Sequence, residues 1–148
     1  MQRNKKMRLV VDANIWISTL LTPNFRNRVG VFFEKRYRLL VSEELFGELS
    51  DAAQKPYPAK RIVRSEYEKL VSKLRDVAEL IDVRSTVEVC RDPKDNFLLA
   101  LAKDGDADYL ITGDADLLVL KEFEKTKIVR MSEFETLSRK QHNTIHKQ

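Results

Sequence analysis

Five short apolar runs, each set apart from the next by segments with helical periodicity, constrain this chain more than any other feature. Leu9-Val10-Val11 stops at Asp12, Leu39-Leu40-Val41 stops at Ser42, and Leu80-Ile81-Asp82-Val83 is a weaker run. Tyr109-Leu110-Ile111-Thr112 stops at Gly113-Asp114, and Ile128-Val129-Arg130-Met131 stops at Ser132. Runs this short and this apolar read as strands covered on both faces. Between them, Val29, Phe32, Phe33 and Arg36 follow the helical period, as do Leu45, Leu49, Ala52 and Ala53. Tyr67, Leu70, Val71, Leu74 and Ala78 make the cleanest stripe, which Ser65 opens with Glu68 at capping-box spacing. Phe97, Leu98, Leu101 and Ala102 form another, closed near Gly105. Leu117 to Phe123 forms a shorter one, and Phe134 with Leu137 a last short helix. Alternation of this kind predicts an α/β fold with a mainly parallel sheet and right-handed crossovers.

At 148 residues the chain suits one domain, with a core over about residues 7–137 and a polar tail over about 139–148 that is expected to fray. The break Lys55-Pro56-Tyr57-Pro58 separates two helices and is not a domain linker. Cys90 is the one cysteine, which rules out an internal disulfide and suits a reducing cytoplasm. No apolar run approaches the roughly 20 residues of a membrane span. The polar, basic start to Met7 is followed by too short an apolar stretch for a secretory leader. Residues 1–64 carry 13 Lys and Arg against 6 Asp and Glu, whereas residues 65–148 carry 14 against 17. Such a division suits a polyanionic substrate beside a cation site, although a solvated, mildly basic surface explains it equally well.

The acids decide between these readings. In an open parallel sheet, ligands bind at the carboxyl ends of the strands. Asp12 follows the first strand and Asp114 follows the fourth after one glycine, with Asp116 two residues beyond. Asp95 opens the helix before the fourth strand, after the turn Asp92-Pro93-Lys94, and Glu48 lies in the helix after the second. Each has an ordinary alternative. Asp12 and Asp95 can cap helices, Asp114 and Asp116 can serve a turn and a cap, and Glu48 can lie on a solvated face with Glu43, Glu44 and Asp51. Joint placement on one rim favours a site, because independent caps need not converge. Converging carboxylates repel unless a cation neutralises them. An all-oxygen set suits hard Mg²⁺ or Mn²⁺ rather than zinc.

Four stretches carry a resemblance: Val10-Val11-Asp12-Ala13-Asn14; Val41-Ser42 through Leu45 to Glu48-Leu49; Asp92 through Ala100; and Tyr109 through Leu118. In this order and on these elements, they resemble the PIN domain over about residues 7–137, especially the VapC-like toxin ribonucleases. The resemblance implies a three-layer α/β/α sandwich with a five-stranded parallel sheet, and Mg²⁺- or Mn²⁺-dependent cleavage of RNA by water. It implies that Asp12, Glu48, Asp95 and Asp114 are the catalytic acids and metal ligands, with Asp116 a fifth acid. Asn14 and Thr112 would orient the acids. A small antitoxin crossing the acidic groove, and a homodimer, are implied by the same likeness.

For the RNA grip, Arg26, Arg28, Lys60 and Arg61 stand out within a basic set that also includes Lys35, Arg36, Arg38, Lys55 and Arg64. Tyr57, Trp16 and Phe25 are candidates for base stacking, with core packing the better use of the last two. His142 and His146 have helical ligand spacing but no apolar stripe to hold them, and Cys90 reads as packing, not catalysis. Two rivals stand beside the nuclease. One is a PIN-like module that only docks a partner. The other is aspartyl phosphotransfer or phosphatase chemistry, which needs a second Asp where this chain has Asn14.

Overall fold

The computed structural model describes residues 5–22, 27–57 and 60–146, with side chains as far as Gln141. The chain runs β1 (Met7–Val11), α1 (Ala13–Leu21), a 3-10 helix (Val29–Phe33), β2 (Tyr37–Val41) and α2 (Glu43–Ala53). It continues through α3 (Arg64–Val77), β3 (Glu79–Leu80), α4 (Pro93–Asp104), β4 (Tyr109–Ile111) and α5 (Ala115–Leu118). It closes with β5 (Glu122–Phe123), β6 (Thr126–Val129) and α6 (Met131–His146).

The sheet order is β3-β2-β1-β4-β6-β5. The first five strands pair in parallel, as in Leu9 beside Leu39 and Val10 beside Leu110. Successive residues of a strand point to opposite faces, and Leu9, Val10, Leu110 and Ile111 are all fully buried. Both faces are therefore covered by helices, and the fold is the expected α/β/α sandwich.

The sixth strand departs from the expected five. It lies antiparallel to β6, with Phe123 opposite Thr126. The stretch from Leu117 to Phe123 divides into a four-residue helix and this strand instead of one helix. Lys121 and Glu124 take left-handed backbone (φ 65° and 53°), which ends the helix and turns the hairpin. A two-residue strand carries too little alternation to announce itself.

Other boundaries also differ. Ser65 does not cap α3. The helix starts at Arg64 with Val63 in the cap position, two residues earlier, because the N–H groups of Glu66 and Tyr67 donate to the carbonyl of Val63 at 3.0 and 3.1 Å. The segment expected as a short last helix and a fraying tail is a 16-residue helix reaching His146. Ser138 anchors its middle, accepting from Arg36 at 2.6 Å and from the Tyr37 hydroxyl at 3.0 Å. Arg, Lys and Gln at 139–141 are good helix formers that let it continue.

Trp16 belongs to the core, as expected. It is 1% exposed and meets Phe32 edge-on with ring centres 5.6 Å apart. Phe32 in turn stacks on Phe134 at 5.4 Å, tying α1, the 3-10 helix and α6 together. Trp16→Ala is expected to cost about 3–5 kcal/mol in urea unfolding, as for other large core truncations. A loss under about 1 kcal/mol would place the indole outside the cooperative core.

Candidate active site

The strand order reverses between β1 and β4, and the two strands end side by side on Asp12 and Thr112-Gly113-Asp114. Such a switch point leaves a crevice at the carboxyl ends of the strands. The Thr112 hydroxyl joins the two strand ends. It donates to Asp12 Oδ2 at 2.8 Å and accepts from the Asp114 N–H at 3.0 Å. Asp12 also caps α1, its Oδ1 accepting from the Asn14 N–H at 3.1 Å. Asp114 caps α5, its Oδ1 accepting from the Asp116 N–H at 2.9 Å. The capping alternatives for Asp12 and Asp114 are thus real, and they orient the acids rather than replace a site.

Asp95 does not cap α4. That position belongs to Asp92, whose Oδ1 accepts from the Lys94 N–H at 2.9 Å, with Pro93 as the first helical residue. An Asp-Pro pair is a cap followed by its preferred neighbour, and this signal marks the true start of the helix. Asp95 then falls third in the helix, within its first turn, and is only 5% exposed. Its carboxylate oxygen lies within 4.8 Å of those of Asp114 and Asp116. No N–H of the described residues donates to it, and its carboxyl group meets that of Asp114.

The electrostatics follow from that crowding. Burial, contact with Asp114, and the charges of Asp114, Asp92 and Asp12 push Asp95 up to about 7. Glu48, half-buried on α2, is pushed up to about 7 by burial and then by the charge of Asp12, against the pull of Lys94. Burial also raises Asp12, partly offset by its bonds from Thr112 and Asn14. Asp95, Asp114 and Asp116 come into direct proximity, Asp12 acts on Asp95 through its charge, and Glu48 is linked to the group only through the charges of Asp12 and Asp92. A buried carboxylate grouped with two others is the arrangement a hard divalent cation stabilises. These residues could hold a divalent cation.

The other expected contributors divide. Asn14 is exposed and meets Asp12 through its backbone N–H, not its amide. Arg28 forms a two-point ion pair with Glu135, with Nε 3.0 Å from Oε2. Lys60 and Arg61 are exposed, and Lys60 pairs with Tyr57. The Tyr57 hydroxyl donates to the Ala52 carbonyl at 2.7 Å. Arg26 and Phe25 lie outside the described residues, as do the side chains of His142 and His146. Sequence reading overlooked Arg91, whose Nη2 donates to Asp116 at 3.1 and 3.3 Å. The pairing spans 25 residues, beyond the reach of any periodicity.

Thr112→Val keeps the shape of a fully buried side chain but removes the hydroxyl shared by both strand ends. Mn²⁺ affinity measured by calorimetry is expected to fall about 10–100-fold, the usual effect of losing a group that orients a ligand. Unchanged affinity would show that Asp12 needs no such support.

Comparison with known proteins agrees with this fold. A family model of the PIN domain matches residues 8–116, a span that contains all five acids. An uncharacterized protein of Methanocaldococcus jannaschii is 28% identical over 123 residues, which is 81% of this chain and 79% of that protein. Among solved structures, VapBC2 from Rickettsia felis bound to a DNA fragment from their promoter is similar at a TM-score of 0.57. That match covers 84% of this chain and 98% of the other at 11% identity, which speaks for the fold alone. With most of its length and its whole acidic rim inside the matched region, this chain belongs to the PIN domain family.

Proposed function

We propose that this chain is one nuclease domain, a Mg²⁺- or Mn²⁺-dependent endoribonuclease that hydrolyses RNA phosphodiesters with water. The observation that carries this reading is Asp95: buried, without a donor among the described residues, and grouped within 4.8 Å with Asp114 and Asp116. Asp12, Asp95, Asp114 and Asp116 would hold the cation, with Glu48 as a further ligand or as the group that orients the attacking water. Bound there, a divalent ion neutralises the carboxylates and stabilises charge developing on the phosphoryl oxygens.

The chain's own residues supply the rest. Asp12 is held in place by Thr112 and Asn14, so the site is organised before substrate arrives. Glu48, with its proton affinity pushed up to about 7, is suited to take a proton from the attacking water at neutral pH. The water oxygen bonds to phosphorus, its proton passes to Glu48, and the bond to the 3′ oxygen breaks. The leaving oxygen takes a proton from solvent, which yields a 5′-phosphate and a 3′-hydroxyl. Lys60 and Arg61 are exposed and would contact phosphate, a role proposed also for Arg26 and for Arg28, which is paired with Glu135.

Likeness in fold to the VapBC2 assembly supports a role as the toxin of a toxin–antitoxin pair, restrained by a small protein partner. A homodimer and a cytoplasmic setting belong to this proposal. No helix among the described residues is long and apolar enough to cross a membrane. The chemistry is tested with an RNA carrying one 2′-deoxynucleotide at a mapped cleavage position. Water attack leaves the rate nearly unchanged and gives 5′-phosphate ends. Loss of cutting there, with cyclic-phosphate ends on ordinary RNA, would contradict it.

A further inference from the structure

Arg91 lies in a stretch without regular secondary structure, yet its backbone is anchored on both sides. On one side the Asn96 side chain clamps the loop. Its Oδ1 accepts from the N–H groups of Val89 and Cys90 at 3.0 and 2.7 Å, and its Nδ2 donates to the Cys90 carbonyl at 2.8 Å. On the other side, Asp92 caps α4. The turn of helix that carries Asp95 thus also fixes the loop that carries Arg91. From there the side chain, 89% exposed, reaches over to both oxygens of Asp116.

Stability does not account for this placement. An exposed ion pair contributes about 0–1 kcal/mol, far less than three hydrogen bonds spent on one short loop would suggest. The loop lies beside the acids, since Arg91 bonds Asp116, whose carboxylate lies within 4.8 Å of those of Asp95 and Asp114. A polyanion approaching this rim meets repulsion, and a cation set at its edge lowers that barrier. Only Nη2 contacts Asp116. Nη1 and Nε have no hydrogen-bond partner among the described residues, so their N–H groups remain able to donate to a single phosphate oxygen.

We propose that Arg91 grips the substrate's phosphodiester at the edge of the acidic rim, its guanidinium bridging Asp116 and a non-bridging phosphate oxygen. This rests on the nuclease reading above. Asn96 acts as its positioning residue.

The test uses full-length Asp95→Asn protein, a fluorescent single-stranded RNA, and anisotropy across 50–200 mM salt with Mg²⁺ present. Adding Arg91→Ala is expected to weaken binding about 5–10-fold and to reduce the slope of log K against log salt by about 0.7, the value of one phosphate contact. Arg91→Lys keeps the slope but recovers only part of the affinity. Mn²⁺ binding measured by calorimetry tightens in Arg91→Ala protein, because Asp116 loses a competing cation. Equal affinity and equal slope with and without Arg91 would overturn the proposal, even if wild-type protein cuts RNA. Conversely, a clear Arg91 effect in a protein that never cuts RNA sinks the nuclease reading and leaves the phosphate contact standing.

Discussion

Asp95→Asn protein is expected to cut RNA at least about 100-fold more slowly than wild type while melting at a higher temperature. The first effect follows from losing a metal ligand, which costs more than the 10–100-fold typical of the groups that merely orient ligands. The second follows from the crowding. Asp95 is buried against Asp114 and is pushed up to about 7, so at pH 8 the folded chain holds a carboxylate in surroundings that disfavour its charge. An amide of the same shape removes the repulsion, and its NH₂ can donate to the Asp114 carboxylate. Opposite movement of activity and stability marks a residue kept for chemistry, since a residue kept for packing loses both together. Initial rates on labelled RNA and thermal melts in EDTA measure the two. Wild-type activity, or a melting temperature lowered by several degrees, would contradict the role given to Asp95.

The second large effect is a stability that declines with pH until metal is added. The ordinary values are 3.8 for Asp95 and 4.5 for Glu48, and both are pushed up to about 7 in the folded chain. Between about 4 and about 7 the folded chain therefore holds protons that the unfolded chain has released. Stability falls as pH rises through that window, and the loss is complete above about 7. Asp12 is raised and acts in the same direction. Glu79, Asp104 and Glu135 are lowered by Arg8, Ser85 and Arg28 respectively, and their contribution disappears only as pH falls below the ordinary carboxylate range. In EDTA the melting temperature should thus peak near pH 5 and decline toward pH 8. Mn²⁺ binds the deprotonated acids, so it should restore stability at pH 8 and do little at pH 5. At 100 times the dissociation constant the gain is about 2.7 kcal/mol, or on the order of 8 °C for a chain of this size. A melting temperature that is flat or rising from pH 5 to pH 8 in EDTA would mean that the acids are not held together in solution.

Much of this site is legible in the sequence, and the reasons are local. An apolar strand that stops on an acid marks Asp12 and Asp114 directly, because buried parallel strands contain little else that is charged. Parallel pairing of the five runs follows from the helices between them. Legibility fails where local signals compete or are too short. The Asp92-Pro93 pair and Asp95 both suit the start of α4, and only the structure shows which one caps it. Ser65 with Glu68 imitates a capping box that the Val63 carbonyl pre-empts. The β5 strand is two residues long and depends on left-handed backbone at two non-glycine positions, which composition does not reveal. Arg91 is invisible for a different reason: its meaning lies in a contact with Asp116 and in a clamp made by an asparagine on the next helix.

The most direct measurement follows RNA cleavage by wild-type protein in Mn²⁺, after EDTA stripping, and after Mn²⁺ is restored, beside Asp95→Asn protein purified identically. A metal-dependent site built on these acids gives cutting that disappears in EDTA, returns with Mn²⁺, and stays absent in the variant. Cutting that persists in EDTA, or that is equal in wild type and variant, would contradict it.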